Sequence, residues 1–129
     1  MIPREKLEAY LIKLALSFHE AGAGTWVVSD REKGLENLLI QLSEPLVILR
    51  ISVMDVPATG REKLFEELLK LNATDMVHGA YAVDGKGVII IDTLEAETMD
   101  LEEFEASIEA IGLALAQHYR ILSAYRAKK

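Results

Sequence analysis

The stretch from Thr25 to Val53, TWVVSDREKGLENLLIQLSEPLVILRISV, constrains the fold more than any other part of the chain. It holds three runs in which apolar and polar residues tend to alternate, TWVVS, ENLLIQL and LVILRISV, separated by the polar turn DREKG and the breaker SEP. Alternation sends successive side chains to opposite faces of a pleated ribbon, and connections this short join antiparallel neighbours. A three-strand antiparallel meander is therefore predicted. Trp26, Val28, Leu38, Ile40, Val47, Leu49, Ile51 and Val53 are expected to point inward, and Asn37, Gln41, Arg50 and Ser52 outward. Val27, Leu39 and Ile48 fall on the outward side, an apolar strip that another element or a partner could cover.

Helical spacing brackets this meander. Pro3 suits a first helical position, and Leu7, Tyr10, Leu11, Leu14 and Phe18 form one stripe that Gly22 and Gly24 stop, so a first helix is expected from about Pro3 to Ala21. Thr59 with Glu62 reads as a capping box for a second helix, REKLFEELLKL, ending near Asn72. Its stripe of Leu64, Phe65, Leu68, Leu69 and Leu71 is wide for a surface helix, as though one edge packs inside and the other meets a second subunit. Asp100 with Glu103 opens the longest helix, to about Tyr125, with Phe104, Ile108, Ile111, Leu115, Tyr119 and Leu122 on its buried stripe.

Between these helices lies HGAYAVDGKGVIIIDT. A phosphate loop would need four residues between its glycines, then lysine and serine or threonine at the start of a helix. Here Lys86 leads into Gly87 and VIIID, which is strand, so Asp84 and Gly85 supply a hairpin turn instead. The element order becomes αβββαββα, a two-layer α+β domain with an antiparallel sheet, and 129 residues suffice for one such domain spanning 1–129.

Residues that could carry chemistry are few. The chain has no cysteine, and the serines lack the flanking glycines of a nucleophile elbow. His19, His78 and His118 have no metal-ligand spacing, and the carboxylates from Glu95 to Glu109 gather at a helix N-terminus, where negative charge is favourable without any ligand. A small-molecule or metal-binding alternative would need a cleft that brings Trp26, His19 and Asp92 together. With 14 Lys and Arg against 21 Asp and Glu, the net charge of −7 repels phosphate backbones, so nucleic acid is not an expected partner. Apolar runs fall far short of the ~20 residues that span a bilayer, and MIPREKLEAY is not a secretory signal; no membrane insertion and a cytoplasmic setting are expected.

The run LLKLNATDMVHGAYAVDGKGVIIIDT carries a resemblance as well. An apolar helix ends in leucine and asparagine, Leu68 to Asn72; a small-residue strand follows, His78 to Val83, then an aspartate and glycine turn, an aliphatic strand and a long helix with an acidic start. With the element order, this resembles the type III secretion chaperone-like fold of bacterial proteins, and within it the YbjN-like family. The resemblance implies a non-enzymatic, chaperone-like or regulatory module without cofactor. It also implies a homodimer whose interface uses Phe65, Leu69, His78, Ala80 and Tyr81. An extended apolar segment of a partner or exported protein would be bound by Val27, Leu39 and Ile48 together with the first helix.

Overall fold

The computed structural model describes residues 3–126. Three helices and six strands follow in the order α1 (Pro3–Lys13), β1 (Ser17–Gly22), β2 (Thr25–Asp30), β3 (Leu35–Ser43), β4 (Leu46–Asp55), α2 (Arg61–Thr74), β5 (Ala80–Asp84), β6 (Gly87–Glu95) and α3 (Leu101–Ser123). The strands form one antiparallel sheet ordered β1-β2-β3-β4-β6-β5. Every expected element is present, and one strand, β1, is added ahead of the meander.

That added strand comes from a helix that stops early. The stripe continues past Lys13 in the sequence, but Ala15 turns to φ 55, Leu16 N–H donates to Leu11 C=O and Ala15 N–H to Ile12 C=O. This pair of bonds is a Schellman stop, and the buried side chains of Leu11 and Leu16 accompany it. The first helix therefore does not reach Ala21. Residues 17–22 pair along β2 instead, from Ser17 opposite Ser29 to Gly22 opposite Thr25, and Phe18 becomes an inward strand residue.

Alternation in the meander is as expected, with Trp26, Val28, Leu38, Ile40, Val47 and Leu49 fully buried. One interruption matters. Asn37 adopts φ 58, and the β2–β3 register slips between Val28 opposite Leu38 and Asp30 opposite Leu35. The bulge places Leu35 and Leu38 on the same inner side although three positions separate them. Strand β3 pairs β4 only from Leu39 to Ser43, so the far half of β4 runs on beside β6 alone.

The three helices share one layer. Leu7 and Leu11 of α1, Leu64, Leu68 and Leu71 of α2, and Phe104, Ile108, Ile111 and Leu122 of α3 form a single cluster with Trp26, Ile40, Leu49 and Ile90 of the sheet. Two helix details depart from expectation. Helix α2 is capped by Gly60 at φ 74 with no side-chain bond, so the Thr59 and Glu62 capping box is not made. Tyr119 is exposed, its ring 5.4 Å from the Arg126 guanidinium, and His118 takes the buried position that the stripe assigned to it. The Asp100 cap is made as expected, accepting from Glu103 N–H at 2.8 Å.

Candidate partner-binding surfaces

Because all three helices cover one face of the sheet, the opposite face is built from strand side chains alone. The antiparallel register places Val27 opposite Leu39, Leu39 opposite Arg50, Arg50 opposite Ile91, and Ile91 opposite Ala80. The next rows hold Ile48 opposite Thr93, and Ile89 opposite both Ser52 and Ala82. Val27, Leu39 and Ile48 are thus brought onto one surface, as the alternation required, and none belongs to the core cluster. Leu39 is 37% exposed.

Two members of this surface escaped the sequence reading. Ile89 and Ile91 extend the strip across β6; Ile89 is only 7% exposed yet stands outside the core cluster. Their signal was the unbroken aliphatic run VIII, which fills both faces of a strand and leaves the outward pair unmarked. Arg50 lies in the middle of the strip. Its guanidinium pairs with Asp84 at the end of β5, so its stem can cover apolar surface while its charge is compensated. Where β3 leaves β4, a depression of about 270 Å³ opens among Asn37, Leu39, Gln41, Arg50, Ser52 and Ile89. A roomier depression lies elsewhere, between Pro3, Lys6, Pro45 and Glu97, and its lysine is spent on the carbonyls of Ala96 and Glu97 at 3.3 Å each.

The α2 and β5 side offers a second apolar surface. Leu69 is 68% exposed and Val77 is 83% exposed, Phe65 is half-buried with Arg61 stacked 5.8 Å from its ring, and His78 is exposed. Ala80 is half-buried. Tyr81 differs from its neighbours, because its side chain is buried inside the chain itself.

Tyr81 joins a buried polar network that sequence reasoning missed. Its Oη lies 2.7 Å from His118 Nδ1, and His118 Nε2 lies 2.9 Å from Asp75 Oδ2. Hydrogen bonds from the Thr74 hydroxyl and then from His118 hold the Asp75 carboxyl below its usual range, so it accepts. Burial pushes the Tyr81 phenol up to about 12, with the Asp75 charge adding to the effect. In the neutral imidazole the proton therefore sits on Nε2, and Tyr81 donates to Nδ1. Asn72 completes the arrangement: its Oδ1 accepts from Tyr81 N–H at 2.7 Å, and its Nδ2 donates to Tyr81 C=O at 3.2 Å. His118 had only a helical position to announce it; the spacing Ile111 to His118 was the available signal.

Trp26, His19 and Asp92 do not converge. Trp26 points into the core and donates to Glu8 at 3.4 Å, while His19, opposite Val27, points to the other face. Asp92 lies inward on β6, three strand positions from β2, and accepts from the Ser107 hydroxyl at 2.6 Å. At ~4.8 Å per strand spacing this separates Asp92 from Trp26 by roughly 14 Å. The cleft that the small-molecule or metal alternative required is not formed.

The fold is shared with solved structures of low sequence identity. YbjN from E. coli matches with a TM-score of 0.70 at 16% identity, covering 91% of each chain. A chain of the heterodimeric ExoU–SpcU complex, from the type III secretion system of Pseudomonas aeruginosa, matches with a TM-score of 0.74 at 12% identity, covering 92% of this chain and 98% of that one. A chain of the HopA1–SchA chaperone–effector complex matches with a TM-score of 0.66 at 10% identity, covering 92% of both. No curated protein sequence matches significantly. The model of the CesT_Tir_1 family, a type III chaperone family, matches residues 3–128, nearly the whole sequence. The fold is thus YbjN-like and type III secretion chaperone-like, and the chain belongs to the CesT_Tir_1 family.

Proposed function

We propose that this protein is a non-catalytic, chaperone-like protein-binding module that holds an extended apolar segment of a partner protein. The observation that carries this reading is the sheet face opposite the core, where Val27, Leu39 and Ile48 lie side by side with Ile89 and Ile91 and all five stand outside the core cluster that the helices share. Membership of the CesT_Tir_1 family supports it, as does the likeness of fold to chains of secretion chaperone–effector complexes. An extended segment gains main-chain hydrogen bonds at a sheet edge and places alternate side chains against apolar pockets. The net charge of −7 favours basic or amphipathic segments and disfavours nucleic acid.

The module acts as a homodimer through Phe65 and Leu69 of α2 with His78 and Ala80 beside them. Tyr81 serves that surface by anchoring β5 from within. No cofactor enters this account, and the expected setting is the cytoplasm. Affinity capture from the native cell, with mass spectrometry, tests the reading. One reproducible protein partner is the expected result; capture of no protein by a folded bait contradicts it. Light scattering tests the dimer, and a monomer at micromolar concentration removes it.

A further inference from the structure

Ile89 is buried where its immediate neighbours do not account for it. It lies on the sheet face opposite the helices, yet only 7% of it is exposed, while Leu39 on the same face is 37% exposed. The positions around Ile89 are small: Ser52 and Ala82 stand directly opposite it on the flanking strands, and Gly87, the preceding residue on that face of β6, has no side chain. Ile91 screens one end alone. Side chains of this size leave most of an isoleucine open.

The antiparallel register shows what closes it. Arg50 on β4 stands opposite Ile91, and Asp84 on β5 stands opposite Gly87, with β6 running between the two strands. Ile89 is midway between Ile91 and Gly87, so the Arg50–Asp84 ion pair crosses β6 directly above it. Bridging two strand spacings of ~4.8 Å each takes a side chain of arginine's length laid along the sheet. Among the described residues, Asp84 is the one group that bonds the Arg50 guanidinium. Toward β3 lie Asn37 and Gln41, which line the depression of about 270 Å³ together with Arg50 and Ile89. Neither carries a charge that would hold the guanidinium in place of Asp84.

We propose that Asp84 holds the Arg50 side chain as a latch over Ile89, closing one end of the sheet face, and that release of the latch opens an apolar site continuous with this depression. With its anchor gone, a guanidinium is better solvated away from an apolar surface than against it. The bond itself is weak, because Arg50 is 33% and Asp84 59% exposed and water competes for both. The closed form therefore outweighs the open one only a few-fold, which suits a cover that must yield. The inference goes beyond the partner-binding reading, because the latch belongs to the free chain and is tested with no partner present.

Methyl relaxation by the neutral nitroxide TEMPOL tests the latch, read at the isoleucine δ1 methyls with the fully buried Ile90 as internal reference. Relative to Ile90, the Ile89 methyl is expected to relax at least about twofold faster in Asp84→Asn than in the wild type. A smaller rise, or none, in the folded variant overturns the proposal, since Arg50 would then cover Ile89 without its anchor. Sodium chloride gives a second measurement that needs no variant to fold. Raising it from about 20 mM to about 1 M should speed Ile89 relaxation in the wild type and leave Arg50→Ala unchanged; a flat wild-type series overturns the latch. The opened site is read with Nile red, an uncharged apolar dye. Its Kd is expected to fall at least about twofold in Asp84→Asn, and an unchanged Kd would show that no apolar site opens, which refutes the proposal.

Discussion

Tyr81 Oη lies 2.7 Å from His118 Nδ1, and this bond fastens strand β5 to helix α3 inside the protein. The two rings are also tilted against each other at 5.7 Å between centroids. Removing either partner leaves the other's polar atom buried without a bond, which costs about 1–3 kcal/mol. Tyr81→Phe and His118→Leu are each expected to destabilise by about that amount. The double variant should cost distinctly less than their sum, because the second substitution removes the group that the first left unsatisfied. Urea unfolding of the four proteins measures this; strict additivity would show that the bond contributes nothing.

The same burial makes stability depend on alkaline pH. The Tyr81 phenol is raised from 10.0 to about 12, so folding favours its neutral form. The stability this provides is complete below pH 10 and is lost as pH rises from about 10 through about 12. Ultraviolet titration of the wild type should show one tyrosine ionising last, absent in Tyr81→Phe. The variant's stability should also fall less steeply across that window.

Asp75 acts at the opposite end of the scale. Hydrogen bonds from Thr74 and His118 lower its carboxyl from the ordinary 3.8, so its contribution is present above that value and is lost as pH falls through the lower folded value. Asp75→Asn is expected to flatten the acid limb of the stability profile while leaving the profile near neutrality similar in shape. Chemical denaturation between pH 2 and pH 5 reads the difference; parallel curves would remove Asp75 from the account.

Two backbone positions give predictions of opposite sign. Ala15 ends α1 at φ 55, where a side chain is unfavourable, so Ala15→Gly is expected to stabilise by about 0.5–1 kcal/mol although glycine usually weakens a fold. Gly112 lies on α3 where the helix crosses the β2–β3 turn, and a Cβ there would collide with the carbonyl oxygen of Lys33. Lys33 also pairs with Glu109 at 3.0 Å, one turn earlier on the same helix. Gly112→Ala is expected to destabilise by about 1–3 kcal/mol, despite the ~1 kcal/mol that alanine gains in a helix. Thermal or urea unfolding of each variant checks the sign.

Periodic features were legible in the sequence because one physical rule dictates each. Alternation in TWVVS, ENLLIQL and LVILRISV placed Trp26, Ile40 and Leu49 inside and Val27, Leu39 and Ile48 outside, and the structure keeps those faces. The turn in VDGKGV was a hairpin because no helix follows it, and Asp100 capped α3 by local geometry. What stayed hidden depends on choices that local sequence does not force. The Schellman stop at Ala15 uses alanine where glycine would have announced it, so β1 was read as helix. His118, Asp75 and Asn72 meet Tyr81 only after α2, β5 and α3 pack together, and no spacing encodes that meeting.

The central claim is that the sheet face opposite the core holds the partner. It is tested most directly by capturing the partner with wild-type protein and with the Leu39→Asp, Ile48→Asp double variant, quantified side by side by mass spectrometry. Both substitutions lie outside the core cluster, so the variant should keep its fold and its oligomeric state. Loss of at least about 90% of the captured partner is the expected result, since a charge on each side of the strip would need desolvation to admit an apolar segment. Undiminished capture by the folded double variant would contradict the account.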